Sequence, residues 1–389
     1  MSVMARRVQN YGTTIFFEMT NLANQYQAVN LGQGFPNFPG PDFLKEAAIE
    51  AIRADLNQYA PGSGVLRLRQ AIAQKMAAFQ GMTVDPATEI LVTHGATEAI
   101  FAAMLGLVDP GDEVILFEPF YDSYLPAVQM AGGVPKFYTL RTPDWAIDAD
   151  ALASLFSDKT KLVLINTPHN PTGKVFSRQE LSLIAELCQR HNVIAVTDEV
   201  YEHIIFDGVK HVSLASLPGM AGRTVTISSA GKTFSLTGWK VGWAIGAPEL
   251  ILGLFRVHQF MTYAAVTPMQ EAAATGLLTS AEYYRWLAGM YQDNRDFLVE
   301  ALRQAGLTPI VPQGTYFVTA DISQQGFAND VEFCRYLTRE IGVAAIPPSA
   351  FYHNPADGAA LARFAFCKTR DVLEEAAIRL KKLANRRQP

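Results

Sequence analysis

The chain has 389 residues, of which 49% are hydrophobic and 18% charged, with a formal net charge of −5. This composition excludes intrinsic disorder, and at roughly 150 residues per domain the length predicts two or three domains. The mild acidity argues against a main task of gripping nucleic-acid phosphates, but leaves room for a local basic pocket.

In chain order, Met1–Thr20 carries Arg6 and Arg7 but no apolar stretch before Glu18, so no secretory leader is predicted. Helical periodicity runs over Asp42–Leu56 and Val65–Phe79, and Ile90–Thr93 reads as a strand feeding a helix near Thr97. After the Asp109-Pro110-Gly111 turn come strands at Glu113–Phe117 and Val134–Tyr138. Lys161–Asn166 is a buried-looking strand that ends in the Pro-rich loop Thr167–Gly173. Ser177 and Glu180 have capping-box spacing, and Leu181, Ile184, Ala185 and Cys188 continue as a helix face. Strands follow at Val193–Thr197, Thr224–Ser228 and Val241–Gly246. The alternation predicts an α/β protein with a mostly parallel central sheet flanked by helices.

From about Ala281 the pattern changes to a long helix at Tyr283–Gln304, strands near Thr315–Ala320 and Ala362–Phe366, and helices at Asp330–Ile341 and Asp371–Leu383. The expected division is a large α/β domain over 41–285 and a smaller α+β domain built from 1–40 and 286–389. No flexible linker separates them, so close packing is expected. No run of about 18 apolar residues marks a membrane span. Cys188, Cys334 and Cys367 are too scattered for a disulfide frame or zinc cluster, which predicts a reduced, cytoplasmic compartment.

The strongest chemical signal is Ser228–Gly242, SSAGKTFSLTGWKVG. Lys232 lies in its small, Gly-containing segment between two strands, far from any acidic neighbour in sequence. Read alone it is a solvated loop lysine; desolvated in a dry pocket, it becomes a nucleophile toward carbonyls. Ser229 and Lys240 flank it with a hydroxyl and a cation, both suited to phosphate. Asp198 falls at the carboxyl end of an apolar strand, where open α/β sheets place ligands, and Tyr201 follows three residues on. A helix N-cap is the plainer role for such an aspartate. Asn170 sits in Asn166–Lys174, NTPHNPTGK, where prolines stiffen a loop that could equally be an ordinary Asn-Pro turn. Thr93–Ala99, THGATEA, runs a strand through a Gly turn into a helix whose free N–H groups suit a phosphate. His94 has no partner at metal-ligand spacing and reads as a packed loop residue.

Together these segments supply a phosphate cradle, an amine, a buried carboxylate and a stiff Asn loop at strand ends of one sheet. That set fits pyridoxal 5′-phosphate, with the lysine as Schiff-base partner and the carboxylate keeping the ring nitrogen protonated.

The chain resembles the class I aminotransferases of the fold-type I pyridoxal-phosphate enzymes, and within them the branch of methionine aminotransferases and kynurenine–oxoglutarate (glutamine) transaminases. The resemblance is carried by Asn30–Asp42, Asn57–Tyr59, Thr93–Phe101, Gly111–Tyr124, Asn166–Lys174, Asp198–His203, Ser228–Trp243, Gln313–Phe317 and Ala362–Phe366, in the family's order. It implies Lys232 as the Schiff-base lysine, Asp198 on the pyridine nitrogen, and Tyr201 and Asn170 on the ring's 3′-oxygen. Tyr121 would stack on the ring, and Ala96, Thr97, Ser229 and Lys240 would hold the phosphate. Tyr59 resembles a tyrosine that reaches the phosphate of the neighbouring subunit, implying a homodimer with a shared site. Arg363 matches the arginine that forks onto the substrate α-carboxylate, near Gly34; alone, it could equally be a structural ion-pair partner.

Two departures stand out. Lys240 replaces the arginine of many members, and Thr97 replaces an aromatic residue frequent in kynurenine-type members. Phe16, Phe35 and Tyr263 could still line an apolar substrate pocket, and no second arginine suggests a distal-carboxylate reader. The expected activity is ping-pong transamination between an L-amino acid (methionine, glutamine or aromatic) and a 2-oxo acid. A cysteine-conjugate β-lyase would use the same residues. A catalytically silent binding domain would normally carry a helix-turn-helix in front, and none is read in the first 40 residues. No metal, nucleic-acid or membrane partner is expected.

Overall fold

A computed structural model describes residues 3–9 and 11–385. In chain order the strands are β1 (Val29–Asn30), β2 (Ile90–His94), β3 (Glu113–Glu118), β4 (Val134–Thr139), β5 (Thr160–Asn166) and β6 (Ile194–Asp198). They continue as β7 (Thr224–Ser229), β8 (Val241–Ile245), β9 (Thr308–Ile310), β10 (Phe317–Asp321), β11 (Val343–Ala344) and β12 (Leu361–Ala365). The helices are α1 (Ile15–Gln25), α2 (Asp42–Arg53), α3 (Leu66–Gln80), α4 (Gly95–Leu107), α5 (Tyr124–Met130), α6 (Ala149–Ala153) and α7 (Arg178–Arg190). After them come α8 (Ala230–Thr233), α9 (Pro248–Met261), α10 (Thr267–Leu277), α11 (Ala281–Gln304), α12 (Asp330–Tyr336) and α13 (Arg370–Asn385).

Seven strands form the central sheet in the order β2-β8-β7-β6-β5-β3-β4. All neighbours are parallel except β8, which runs against both β2 and β7. The strands are apolar on both faces because helices cover both. Side chains alternate between the two coverings: Val114, Leu116, Leu162 and Leu164 join one buried cluster, while Ile115, Phe117, Val163 and Ile165 join another. The α/β class and mostly parallel sheet expected from the alternation are therefore present. The capping box at Ser177 and Glu180 forms as its spacing predicts.

The N-terminal segment leaves this sheet and packs with the C-terminal part of the chain. β1 pairs in parallel with β11, and Met19 and Leu31 share a core with Val318, Phe364 and Leu373. β12, β10 and β9 form a separate antiparallel sheet in which Thr319 faces Arg363. Helix α1 was not legible in sequence: its aromatic start and Asn-containing end mute the helical signal, and Thr14 supplies the cap. The helix expected over Asp330–Ile341 is α12 followed by a π-helical turn, Leu337–Ile341. Among the described residues, no helix is long and apolar enough to cross a membrane. The cysteines are all buried and free.

A buried polar network braces the turn after β6. Glu202 pairs with Lys75 of α3 and accepts a hydrogen bond of 2.7 Å from Ser228 of β7. Glu199 accepts from Thr197 and Ser213 at 2.9 Å each, and meets His211 Nε2 at 2.7 Å. Ligand-type atoms of Glu199, Glu202 and His211 lie within 4.8 Å of one another. The ammonium of Lys75, the His211 imidazole and three hydroxyls already occupy these carboxylates, so the cluster reads as a structural brace. Burial alone would raise the Glu202 carboxyl, but Lys75 foremost holds it down to about 2. Its contribution to stability is therefore present above the ordinary carboxylate range and lost as pH falls toward 2. Lys75→Met, which strands the Glu202 charge, should cost about 3–5 kcal/mol in urea unfolding at neutral pH. That loss should shrink in acid, where the wild type has lost the same pair.

Candidate active site

Chain direction explains the convergence of the site. β2, β5, β6 and β7 end on one edge of the sheet, and antiparallel β8 begins there. In register, Asn166 faces Asp198, and Ser229 faces Gly242. One cavity of about 170 Å³ opens at this edge, lined by Ala96 and Thr97 after β2, Asn166 and Asn170 after β5, and Asp198 and Tyr201 after β6. Ser229 and Lys232 after β7, Lys240 before β8, and Tyr121 complete it.

The turn from β2 into α4 requires glycine. Gly95 has φ +74°, and a Cβ on Gly242 of the adjacent strand would lie 2.4 Å from the Gly95 carbonyl carbon. The backbone of Gly95, Ala96 and Thr97 is thereby brought beside Lys240, whose Nζ lies 3.3 Å from where a Gly95 Cβ would stand. The N-cap residue His94 makes no side-chain bond to the start of α4, and Glu98 accepts the His94 N–H at 2.5 Å. This end of the cavity combines N–H donors, the Ser229 hydroxyl and an ammonium, which is anion-binding chemistry.

At the opposite end Asp198 is buried, and Oδ2 accepts a 2.7 Å hydrogen bond from the Tyr124 hydroxyl. Oδ1 accepts from the Val200 N–H at 3.3 Å, so the plainer turn-capping role is partly fulfilled as well. Burial pushes the Asp198 carboxyl up to about 6 against the downward pull of Tyr124, Val200 and Lys232. Lys232 lies on the single-turn helix α8, not in an open loop, with its Nζ 5.9 Å and 5.8 Å from the ring centres of Tyr201 and Tyr316. Burial lowers its pKa, with Lys240 and Arg363 adding repulsion and Cys367 and Asp198 opposing. Burial raises the Tyr201 phenol.

A hydrogen-bond chain leads from Asp198 to Arg363. Asn166 Nδ2 donates to the Asp198 carbonyl at 2.8 Å, and Asn166 Oδ1 accepts from the Asn170 N–H at 2.6 Å. Arg363 Nη1 donates to Asn170 Oδ1 at 3.1 Å, which leaves the Asn170 amide nitrogen as its free donor. Arg363 is 1% exposed, ringed by Phe16, Phe317 and Phe351, with Nη2 on the Gly32 carbonyl at 3.0 Å. Its Nε has no partner, and no carboxylate lies within ion-pair distance among the described residues. Burial lowers its pKa to about 10, with Tyr201 and Asp122 opposing, so it stays charged at neutral pH. It lines a second cavity of about 150 Å³ with Phe16, Gly34, Phe35 and Phe317. The two cavities share Tyr121, Asn170, Tyr201 and Lys232.

Tyr59 and Tyr263 line neither cavity of their own chain. They are 82% and 53% exposed and meet edge to face at 5.1 Å on the outer surface. His94, expected as a packed loop residue, is the half-buried last residue of β2, with its Nε2 3.1 Å from the Ala264 carbonyl. Sequence reasoning missed Tyr124 and Asn166. Both stood inside segments already singled out, but nothing local tells which tyrosine of Tyr121-Asp122-Ser123-Tyr124 turns toward Asp198.

The family profile described as aminotransferase class I and II matches residues 26–380. A probable N-succinyldiaminopimelate aminotransferase of Mycobacterium tuberculosis is 48% identical, with 98% of each chain covered. The methionine aminotransferase of Escherichia coli is 43% identical, with 97% of each covered. A crystal structure described as an Escherichia coli methionine aminotransferase superposes with TM-score 0.95 at 42% identity, covering 98% of this chain and 100% of that one. With that likeness along nearly its whole length, this chain belongs to the class I and II aminotransferases.

Proposed function

We propose that the chain is a pyridoxal 5′-phosphate-dependent aminotransferase that moves the amino group of an L-amino acid to a 2-oxo acid. The observation that carries this reading is a charge imbalance: Lys232, Lys240 and Arg363 line the adjoining cavities with Asp198 as the one lining carboxylate. The unpartnered Nε of buried Arg363 and the glycine-built start of α4 beside Lys240 suit two separate anions. A phosphate at one end and an α-carboxylate at the other meet that demand, and the donor set fits the cofactor.

Ala96, Thr97, Ser229 and Lys240 would hold the phosphate, and Tyr121 would cover the ring. Asp198 would face the pyridine nitrogen, and Tyr201 and Asn170 the ring's 3′-oxygen. When bound, the cofactor supplies an electron sink for charge released at the amino-acid Cα. Lys232 would anchor it, and its amine, its pKa lowered by burial, would take the Cα proton and return it. Arg363 would orient the α-carboxylate, and the rings of Phe16, Phe35 and Phe317 favour methionine, glutamine or aromatic donors. Tyr59, with Tyr263 beside it, would reach the site of a second copy in a homodimer. Free, buried cysteines accord with a reduced, cytoplasmic compartment.

Purified protein should take up the cofactor and absorb in the visible, and Lys232→Ala should lower turnover by about 10²–10⁴-fold. A Lys232→Ala protein with full turnover would end the reading.

Asp198 can face a pyridinium only when ionised, and its carboxyl stands at about 6 in the cofactor-free fold, above the ordinary 3.8. Cofactor affinity should therefore weaken as pH falls through about 6. Tyr124→Phe removes a bond to the ionised form and should move that midpoint upward; spectrophotometric titration of both proteins checks the sign, since the cofactor's own titration cancels between them.

A shared site predicts complementation. Lys232→Ala and Tyr59→Ala proteins, each impaired alone, should regain activity when unfolded together and refolded, because mixed dimers contain one intact site. No gain on mixing would show that each chain works alone.

A further inference from the structure

The wall of the outer cavity is a short loop whose N–H groups at Gly32 and Gln33 bond Asn30 Oδ1 and whose Gln33 side chain bonds the Phe16 carbonyl and Thr20. Its carbonyls are held by side chains from the far end of the chain. Four successive carbonyls are engaged. Gly32 receives Arg363 Nη2 at 3.0 Å, Gln33 receives Lys368 Nζ at 3.1 Å, Gly34 receives the Tyr316 hydroxyl at 2.6 Å, and Phe35 receives Lys368 Nζ at 2.8 Å. Asn37 closes the series, its Oδ1 accepting from the Thr369 N–H at 2.7 Å. The loop is also pressed onto its neighbour: a Cβ on Gly34 would lie 2.5 Å from Phe317 Cζ.

Lys368 is the unusual member of this set. It is 5% exposed, and no carboxylate lies within ion-pair distance among the described residues. Its ammonium rests on two carbonyls and sits 5.2 Å from the centre of the Phe35 ring. Burying a cation with only neutral partners is costly, and an apolar residue there would avoid the cost. What the ammonium provides that an apolar residue cannot is a two-point tether on Gln33 and Phe35, both of which line the outer cavity. With Arg363 at the base of that cavity and Lys232 at its junction with the inner one, the wall left for a substrate side chain is Phe16, Gln33, Gly34, Phe35 and Phe317.

We propose that Lys368 is a specificity-determining positioning residue: by clamping the Gln33 and Phe35 carbonyls it sets the wall against which the amino donor's side chain packs. The inference rests on the aminotransferase reading above. It predicts a dependence on side-chain length. Alanine, which does not reach the wall, is indifferent to the clamp, whereas methionine and phenylalanine depend on it.

The test compares KM and kcat for alanine, methionine and phenylalanine in the wild type, Lys368→Met and Lys368→Arg, alongside cofactor affinity and thermal unfolding. Lys368→Met should raise KM for methionine and phenylalanine by about tenfold or more, the scale of hydrogen bonds to a charged donor. KM for alanine, all three kcat values and cofactor affinity should stay within about twofold, a change too small to be a lost hydrogen bond. Lys368→Arg should restore most of the selectivity. Should Lys368→Met fail to fold, Lys368→Gln, which keeps a donor but loses the charge and the second tether, takes its place with the same expected split. Equal loss for all three donors, loss of cofactor affinity in step with KM, or unchanged KM values would each overturn the proposal. A wild type that takes up the cofactor but turns over no amino acid would instead sink the underlying reading.

Discussion

Three cations and one carboxylate line a pair of adjoining cavities in a chain whose net charge is −5. Unbalanced charge of one sign, buried, is expensive, and the surrounding structure is arranged to bear it. Burial lowers the Lys232 pKa, which eases the positive excess, whereas burial raises that of Asp198 and so works against the one counter-charge. Lys240 reaches the cavity from near the surface. Arg363 keeps its charge, supported by carbonyl and amide oxygens and three aromatic faces. Anionic ligands at both ends would complete the balance, so the same residues suit a phosphate and a carboxylate.

Support for this arrangement comes from a second layer. Tyr124 bonds Asp198, Asn166 bridges Asp198 and Asn170, and Asn170 meets Arg363. Behind the turn after β6, Glu199 and Glu202 are tied to His211, Lys75 and hydroxyls from neighbouring segments. Cavity-lining Asp198 and Tyr201 thus alternate along one short segment with braced glutamates. The cavity-facing turn is held from behind by the Lys75–Glu202 pair and by hydrogen bonds, and support of that kind fixes the orientation of the residues at its front.

The outer cavity is built on a different principle. Its wall is a loop with little regular hydrogen bonding of its own, and the C-terminal segment supplies the donors. Arg363 lines the cavity and also donates to the Gly32 carbonyl of the loop. Relatives of this chain bear names as different as methionine aminotransferase and N-succinyldiaminopimelate aminotransferase. Differences in such a wall, with the inner cavity left alone, are a physical route to that spread.

Sequence by itself determined the parts whose signals are local. The strands of the large sheet showed as apolar runs, the cap of α7 as a spacing, and Lys232, Asp198 and Asn170 as chemistry at or beside strand ends. Those are legible because helix periodicity, strand burial and turn chemistry act over a few residues. Only the tertiary structure decided that Tyr124 and not Tyr121 bonds Asp198, that Tyr59 and Tyr263 lie together outside the two adjoining cavities of their own chain, and that Lys368 holds a loop more than 300 residues earlier. These depend on which elements meet in space. A side chain's partner across the fold is set by packing of the whole, and no short window of sequence contains it.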